Sequence, residues 1–476
     1  MRDLRGHMIT EPKDRFNRIN QLIENFAKAG LLNEWQLKVN ENFANVVAKQ
    51  LYHPQILDPQ NNQRTWGDYE GRKFKHTEPV QLLKGKWTIV YGKREYEQAN
   101  ALYENLQKAS GAYGVRVEEP QWVEVGDSRS ADGYNAAIRS DINPKECLIV
   151  CVVVFSPEVK KGVKSFLDKG GVVSQFITAK KLGGKLSLGV FSNLLKQINA
   201  KVKQDLYRVS LPNFKNAMVI GVDLIMNGSS KLIGCCATSS QTLTQCYTRL
   251  YKQKMPRVTE EAKAEYPGKS RREVQELLIT FERSNILKGF VNDAMGNYQK
   301  NTKTLPEKII IYRDGMGGPS MTTKVQEHEV KVITDLLENT SPGYKPKILY
   351  CLVDRNIQHR VFVKSGQDCL NPGNGTVIDS AVVEVQGDTI FDFYMIPHKA
   401  TVATAQPVLY KSVYNTTDMT KDQIETSTYH LCYNYFNFAG PIKVPMVCMY
   451  AHKICTYAQE NKCVPSVGLS SYLHFL

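Results

Sequence analysis

Apolar runs separated by polar turns divide the chain into predicted strands and helices. Residues 308–318 read Lys-Ile-Ile-Ile-Tyr-Arg-Asp-Gly-Met-Gly-Gly, so an apolar run stops at Arg313, Asp314 and Gly315. A continuous apolar run that ends at glycine is typical of a strand buried in a covered sheet. Asp314 then stands where the strand ends, which is where open α/β sheets place their chemistry. An Asp-Gly turn without chemistry is the alternative interpretation of the same residues.

The same pattern recurs elsewhere in the chain. Residues 217–223, Ala-Met-Val-Ile-Gly-Val-Asp, predict a second apolar strand with Asp223 at its end, and His452 follows later in a helical context. Two strand-borne carboxylates and an imidazole are the components of a site that holds divalent metal ions against a phosphodiester.

Residues 80–205 alternate between strand and helix patterns. Strands are predicted over 87–91, 147–155 and 174–177, and helices over 95–110, 157–167 and 186–201. This alternation indicates an α/β domain with a parallel, Rossmann-like layer sandwich. No Gly-x-Gly-x-x-Gly follows the first strand, so a dinucleotide site is not supported.

Residues 206–476 begin with three apolar or alternating runs, 217–223, 230–237 and 243–251, that predict an antiparallel meander. Its first strand carries a carboxylate, as in the opening of an RNase H-like fold. We expect a charged surface insertion over 252–272. A strand over 276–281, helices over 283–298 and 325–337, and a strand over 347–353 complete the prediction.

Residues 1–79 are polar and partly helical. A helix is predicted within 12–30, where apolar residues recur at helical spacing and Gly30 provides a stop. Residues 54–72 are rich in Asn, Gln, Pro and Gly and predict an extended linker.

Composition narrows the class of protein and of partner. The chain has 476 residues, enough for two to four domains, and its 61 Lys and Arg against 47 Asp and Glu give a net charge of +14. Such an excess favours a polyanionic partner. Eleven scattered cysteines without a Cys-x-x-Cys pair indicate neither a zinc site nor a disulfide framework, and favour a reducing compartment. No stretch predicts a membrane span or a signal-peptide core.

Several motifs resemble the PIWI domain of Argonaute proteins. They are Gly221-Val222-Asp223, Tyr312-Arg313-Asp314-Gly315 and Tyr450-Ala451-His452-Lys453. Residues 435–445, Tyr-Phe-Asn-Phe-Ala-Gly-Pro-Ile-Lys-Val-Pro, resemble a run of the PIWI subfamily, and 375–379, Gly-Thr-Val-Ile-Asp, match as well. The chain is identified as a member of the PIWI clade. The resemblance covers most of the chain and implies an interdomain linker over 1–79, a MID domain over 80–205 and a PIWI domain over 206–476. It also implies that the N-terminal and PAZ domains are absent from this chain.

The resemblance implies a catalytic tetrad in the PIWI domain. Asp223, Asp314 and His452 would bind Mg²⁺ or Mn²⁺, and a glutamate between the two aspartates would orient a ligand or water. We favour Glu282, because the segment from Glu282 to Asp314 matches the family pattern without a gap. Glu276, in a Gln-Glu-Leu string, is the alternative. The chain departs from the family at 316–320 and 407–410, but neither departure removes a tetrad residue.

The resemblance also implies a pocket for the 5′-phosphate of a guide strand, since cations and amide donors near helix N-termini suit a terminal phosphate. Its predicted residues are Lys160, Lys164, Gln175, Gln197, Lys201 and the C-terminal carboxylate of Leu476. Lys160 stands where the family has a tyrosine that stacks on the first guide base. Arg360 matches a family arginine near the guide, although it could equally be a surface charge.

The function that the resemblance implies is cleavage of complementary target RNA, directed by a piRNA-like guide RNA in transposon silencing in the germline. We expect Tudor-type silencing proteins as further partners, a monomer, no membrane association, and a location in the cytoplasm, in perinuclear granules or in the nucleus. Two alternatives stay open. One is a guide-binding scaffold that recruits partners without cleaving. The other is an RNase H-like or integrase-like nuclease that acts without a guide.

Overall fold

Two sheets organise the chain. The computed structural model describes residues 10–30, 33, 36–38, 40, 43–69, 75–184, 187–315, 321–386, 389–400 and 403–476, with the backbone alone at 385 and 386. A four-stranded sheet lies in the middle of the sequence, and a ten-stranded sheet is built mainly from the C-terminal half.

The strands are numbered β1 to β21 in chain order. They are Lys49–Gln50, Ile56–Leu57, Gln63–Arg64, Gln81–Leu82, Trp87–Gly92, Arg116–Val117, Gln121–Val125, Ile149–Val154, Ser174–Thr178, Arg208–Val209, Ala217–Asn227, Ser230–Thr238, Cys246–Lys254, Lys308–Asp314, Lys347–Asp354, Val363–Ser365, Asp368–Leu370, Thr376–Ile378, Val385–Gln386, Ile390–Ile396 and Val408–Asn415.

The α-helices are numbered α1 to α13 in the same way. They are Pro12–Lys28, Trp66–Tyr69, Tyr96–Ser110, Ala131–Asp141, Pro157–Lys169, Ala179–Leu182, Leu188–Val202, Glu260–Ala264, Arg271–Thr302, Met321–Lys324, Lys331–Glu338, Lys421–Leu431 and Met446–Asn461. A π-helical segment, Val325–Val330, joins α10 to α11.

The smaller sheet has the all-parallel order β7-β5-β8-β9, as the strand–helix alternation predicts. Every residue of β5 and β8 is buried, because helices cover both faces. Helices α3 and α7 pack in one apolar core, and α4 and α5 pack in the other. The predicted Rossmann-like layer sandwich is confirmed.

The larger sheet has the order β1-β18-β20-β21-β15-β14-β11-β12-β13, and its tenth strand, β19, pairs with β20 off this path. Strands β11, β14 and β15 run parallel at its centre, and β11, β12 and β13 form the predicted antiparallel meander. Helices α9 and α11 cover one face, and α13 packs against β11 and β12 on the other. This is the expected RNase H-like arrangement. Among the described residues, no helix combines the length and apolar character needed to cross a bilayer.

The segment between β13 and β14 differs from the prediction. The expected strand over 276–281 is wrong, because these residues lie in the 32-residue helix α9. Ser270 caps this helix in a reciprocal capping box with Glu273, which fixes its start well before the strand-like Leu-Leu-Ile-Thr-Phe run. The charged surface insertion expected over 252–272 is exposed along most of its length, and it contains the end of β13 and the Thr259-capped helix α8.

The predicted linker over 54–72 is folded wherever it is described. It supplies β2, β3 and α2, and β2 pairs with β10. Trp66 is buried and meets the rings of Tyr207 and Tyr433 at 5.8 and 4.7 Å between centroids. A buried tryptophan gives this polar segment an apolar anchor that its composition conceals. The predicted helix within 12–30 is confirmed as α1.

Two glycines let α13 approach the sheet closely. A Cβ at Gly221 of β11 would lie 2.2 Å from the carbonyl carbon of Val447, and one at Gly234 of β12 would lie 2.1 Å from the carbonyl oxygen of Ala451. Real Cβ atoms do not approach backbone so closely, so neither position accepts a larger residue unless the helix moves. The helix that carries His452 is therefore held against the strand that carries Asp223.

Replacing Gly221 by alanine should consequently destabilise the protein. We expect Gly221→Ala to lower the free energy of unfolding by roughly 3 kcal/mol, because α13 must move from the sheet. Gly296→Ala, in the interior of α9, is the control: nothing lies within 4 Å of the added Cβ, and it should stabilise by about 0.5–1 kcal/mol. Urea unfolding measures both variants, and equal stability of Gly221→Ala and the parent would contradict the close contact.

Candidate active site

Two neighbouring parallel strands bring two carboxylates together where their pairing ends, although β11 continues past Asp223 to Asn227. Strand β11 carries Asp223 and β14 ends at Asp314, and Val222 is in register with Arg313. Side chains alternate along a strand, so Asp223 shares a face with Gly221 and Asp314 shares a face with Tyr312. That face packs against α13, where the Sγ of Cys448 lies 3.7 Å from the carbonyl oxygen of Tyr312. Both aspartates are buried, at 3% exposure each.

His452 of α13 completes a group of three. Its Nδ1 lies 2.7 Å from Oδ2 of Asp223. An ionised carboxylate only accepts hydrogen bonds, so the imidazole donates from Nδ1 and keeps Nε2 as a potential ligand or acceptor. The structure thus brings together three of the four predicted tetrad residues.

A fourth side chain at this site was not predicted. Arg355 directly follows β15; its Nε lies 2.5 Å from Oδ2 of Asp314, and its Nη2 donates to Oδ1 of Asp223 at 3.4 Å. The Nε–H does not point at the Asp314 oxygen, which is buried without a hydrogen-bond partner. The contact to Asp314 is therefore one of charge rather than a formed hydrogen bond.

Burial and the neighbouring carboxylate of Asp223 make it unfavourable for Asp314 to ionise. Burial raises the pKa of Asp314 to about 7; Arg355 acts to lower it, and the nearby Asp223 raises it further. Two carboxylates that share a buried site cannot both ionise without cations nearby.

Glu282 lies apart from these three residues. Helix α9 packs on the opposite face of the sheet, in the core that contains Ile220 and Val222 of β11. Glu282 is exposed there, and its Oε2 accepts a hydrogen bond from Nε2 of Gln253 at 3.2 Å. The alternative, Glu276, lies earlier on the same helix and pairs with Lys324 at 3.1 Å. Neither glutamate is brought to the aspartate pair, so the catalytic role of Glu282 stays a prediction.

A buried ion-pair network fixes the helix turn next to Glu282. The carboxylate of Glu329, in the π-helical segment, accepts hydrogen bonds from Arg283 at 2.7 Å, from Arg313 at 3.2 Å and from the hydroxyl of Tyr350 at 2.6 Å. Despite burial, the two arginines hold the pKa of Glu329 below its usual value. The network ties α9 to the strand that carries Asp314.

The donor set suits the divalent ions that the resemblance implies. Two carboxylates and one imidazole are ligands that Mg²⁺ and Mn²⁺ accept. The partnerless oxygen of Asp314 is the kind of buried polar atom that a bound cation would satisfy. A second acidic group, Asp379, Asp422 and Glu425, also has ligand-like spacing. There Nζ of Lys49 lies 2.5, 2.5 and 3.3 Å from the three carboxylates and supplies a cation, as Arg355 does at the aspartate pair.

The predicted phosphate pocket corresponds to a separate cavity of about 280 Å³ at the carboxyl ends of β8 and β9. Lys160, Gln175 and Gln197 line it, as do Lys181 and Asn193, which the sequence analysis did not single out. Gln175 and Gln197 are in contact at 3.4 Å, and Gln197 also donates to Asn437 at 3.0 Å. Exposed lysines and side-chain amides around one cavity form a suitable anion site.

Lys164 and Lys201 lie beneath this cavity and do not line it. Nζ of Lys164 donates to Asp168 at 2.9 Å and to the Ser174 hydroxyl at 2.8 Å, and Lys201 donates to the carbonyl oxygen of Ser174 at 2.9 Å. Burial lowers the pKa of both lysines, for Lys201 well below its usual value. These two lysines therefore have structural partners, and their predicted contact with phosphate stays a prediction.

The C-terminus is attached to the same region. The backbone N–H of Leu473 donates to the carbonyl oxygen of Lys201 at 3.2 Å, and that of Leu476 donates to Leu473 at 3.1 Å. Lys164 also donates to the carbonyl oxygen of His474 at 3.3 Å. Leu476 thus lies in a segment bound to Lys164 and Lys201, and its predicted part in phosphate binding stays a prediction.

Arg360 lies in the loop that follows Arg355. Its Nη1 donates to the carbonyl oxygens of Ile357 and His359 at 3.1 and 2.7 Å, which stabilises its own loop. It also lines a cavity of about 580 Å³ between α1 and the larger sheet. Its predicted contact with nucleic acid stays a prediction. Residues 316–320, where the sequence departs from the family, lie outside the described residues.

The different environments of Lys160 and Lys164 lead to a test by stability. Lys164→Met should lower the free energy of unfolding by about 3–5 kcal/mol, because it leaves the buried carboxylate of Asp168 without its ion-pair partner. Lys160→Met should change it by less than about 0.5 kcal/mol, because that side chain is exposed. Urea unfolding of both variants checks this, and comparable losses would contradict the assignment of Lys164 as a buried partner.

Comparisons with known proteins show which family this chain belongs to. A family model described as the Piwi domain matches residues 148–462. The chain is 26% identical to Piwi-like protein 1 of Gallus gallus, with 100% of this chain and 53% of that protein covered. It is also 26% identical to Piwi-like protein Siwi of Bombyx mori, with 100% and 51% covered. The chain spans about half the length of the curated relatives it matches.

Two solved structures share the fold. The crystal structure of Drosophila Piwi matches with a TM-score of 0.81 at 20% identity, over 100% of this chain and 63% of that chain. The crystal structure of Kluyveromyces polysporus Argonaute with a guide RNA matches with a TM-score of 0.76 at 17% identity, over 100% and 62%. At these identities the likeness shows the fold, a Rossmann-like domain followed by an RNase H-like domain.

Proposed function

Because the chain belongs to the PIWI clade of the Argonaute family, we propose that it binds a 5′-phosphorylated guide RNA and cleaves complementary target RNA. The observation that carries this proposal is the convergence of Asp223 of β11, Asp314 at the end of β14 and His452 of α13 on one face of the larger sheet. A piRNA-like guide, a complementary RNA target and a role in silencing belong to the same proposal.

In this proposal the three side chains hold Mg²⁺ or Mn²⁺ against the target backbone. When bound, such ions activate a water molecule and stabilise the leaving oxygen of a phosphodiester. Asp223 is oriented by Nδ1 of His452, and Asp314 is fixed at the end of β14. The buried position of both carboxylates excludes water and strengthens their interaction with cations.

The cavity lined by Lys160, Gln175 and Gln197 supports guide binding in the smaller domain. A terminal phosphate carries about −1.5 to −2 charges near neutral pH, so its site needs cations. Lys160 and Lys181 supply two exposed ammonium groups, and the amides supply neutral donors. The contact between Gln197 and Asn437 links this cavity to the loop between α12 and α13.

One observation favours a second candidate function, a guide-binding scaffold that does not cleave. Glu282 lies on the face of the sheet opposite Asp223, in a helix that Arg283 anchors to Glu329. If cleavage needs a fourth acidic group, this arrangement does not supply it from α9. Measurement of cleavage therefore separates the two candidates.

The first test of function concerns Asp314. Asp314→Asn should abolish cleavage of a matched target by the guide-loaded protein in Mg²⁺, while guide affinity stays unchanged, because the guide pocket lies in the other domain. Asp392→Asn is the matched control: it removes another buried carboxylate of the same sheet, whose pKa burial raises to about 6. Cleavage by Asp314→Asn at the parent rate would contradict the assignment. Absence of cleavage by the parent protein would favour the scaffold.

The second test compares the two candidate glutamates. If Glu282 takes part in cleavage, Glu282→Gln should lower the single-turnover cleavage rate by about 100-fold or more, as loss of an acid–base group does. Glu276→Gln, on the same helix, should leave the rate unchanged. Equal rates for Glu282→Gln and the parent would show that three residues suffice.

The third test concerns the 5′ end of the guide. The parent should bind a 5′-phosphate guide more tightly than a 5′-hydroxyl guide, and Lys160→Met should reduce that difference because one cation is lost from the cavity. Lys145→Met is the control, since this exposed lysine precedes β8 at the opposite end of the sheet. Fluorescence anisotropy measures all affinities. An undiminished phosphate preference in Lys160→Met would move the pocket elsewhere.

A further inference from the structure

Arg355 is the one cationic side chain, among the described residues, that is in contact with both buried aspartates. Its backbone is fixed, because Nζ of Lys443 donates to its carbonyl oxygen at 3.0 Å and the next N–H, of Asn356, is held by Asp354 at 2.9 Å. The guanidinium itself is only partly covered, with 22% of the side chain exposed. Its side chain can therefore rotate into solvent while its backbone stays in place.

The guanidinium contacts the oxygens that a divalent ion would need. Nε lies 2.5 Å from Oδ2 of Asp314, and Nη2 lies 3.4 Å from Oδ1 of Asp223. Divalent ions of this class bind carboxylate oxygens at about 2.0–2.2 Å. An ion on the Arg355 side of Asp314 and the guanidinium would overlap in space and repel each other in charge.

We propose that Arg355 is a built-in counter-cation of the aspartate pair, which competes with the divalent ion and lowers its affinity in the protein without nucleic acid. This inference rests on the proposed metal site. The guanidinium balances the two carboxylates when no ion is bound, and it must leave when an ion binds. Arg355 is thus a positioning residue that sets how tightly the site takes up its metal.

The chain offers a matched control for this residue. Arg249 of β13 lies in the same sheet, has 23% of its side chain exposed, and pairs with Asp293 at 3.4 Å. It resembles Arg355 in exposure and in having an acidic partner, but it contacts neither Asp223 nor Asp314. Arg249→Gln removes the same charge from the same domain away from the site.

The test is direct titration with Mn²⁺, followed by electron paramagnetic resonance, in the absence of nucleic acid. Arg355→Gln should bind Mn²⁺ about tenfold more tightly than the parent, because a partly screened positive charge has left the site. Arg355→Lys keeps the charge and should stay within about threefold of the parent, as should Arg249→Gln. An affinity of Arg355→Gln equal to or weaker than that of the parent would overturn the proposal.

Two further measurements separate the possible failures. Asp314→Asn should lose Mn²⁺ binding; if it binds like the parent, the metal site itself is wrong, and the role of Arg355 fails with it. If Asp314→Asn loses binding while Arg355→Gln matches the parent, only the role of Arg355 is overturned.

In EDTA, Arg355→Gln should melt at a lower temperature than the parent, and Mn²⁺ should restore the melting temperature, because the ion replaces the missing counter-cation. A melting temperature in EDTA equal to that of the parent would count against the counter-cation role.

Discussion

The close packing of α13 on β11 and β12 is the constraint on which the candidate site depends. Gly221 and Gly234 let the helix backbone lie directly on the sheet, where any larger residue would strike the carbonyl groups of Val447 or Ala451. That approach brings His452 within 2.7 Å of Asp223. The parallel pairing of β11 with β14 then adds Asp314 on the same face. Backbone geometry, rather than side-chain adaptation, therefore assembles the three residues.

Much of this arrangement can be predicted from the sequence, because apolar periodicity determines which runs are buried. Strands such as β8 and β14 and the helix that carries His452 have strong local patterns. Where a buried strand ends in Asp-Gly, as β14 does, the sequence also marks the end of the strand as a candidate site. Helix α9 shows where this reasoning fails. Its Leu-Leu-Ile-Thr-Phe run is strand-like locally, but the capping box at Ser270 and the buried Arg283–Glu329 pair make it helical.

The missed residues share a physical cause. Arg355, Lys181 and Asn193 lie just beyond strands or on helices whose sequence neighbours are unremarkable, so only the tertiary structure shows what they contact. Burial of lysines is equally hidden from sequence. Lys160 and Lys164 lie four residues apart on one helix, yet one is exposed at a cavity and the other is buried against Asp168. A resemblance assigns both to one pocket, whereas their surroundings separate them.

Charge compensation is the common principle of the buried polar groups. Lys49 balances Asp379, Asp422 and Glu425; Arg283 and Arg313 balance Glu329; and Arg355 faces Asp223 and Asp314. In each group a cation donates a hydrogen bond to a carboxylate, but Oε1 of Glu425 and Oδ2 of Asp314 are buried without a hydrogen-bond partner. At the aspartate pair, that oxygen lies beside a second buried carboxylate, Asp223, whose partner His452 supplies an imidazole nitrogen, so this group offers the donor set expected for an added ion.

A crystal of the protein soaked in Mn²⁺, with anomalous scattering used to locate the metal, tests the assignment of the metal site most directly. We expect an anomalous peak in coordination contact with the carboxylates of Asp223 and Asp314, with the guanidinium of Arg355 turned away from them. A peak at Asp379, Asp422 and Glu425 instead, or none at the aspartate pair, would contradict the assignment of the active site.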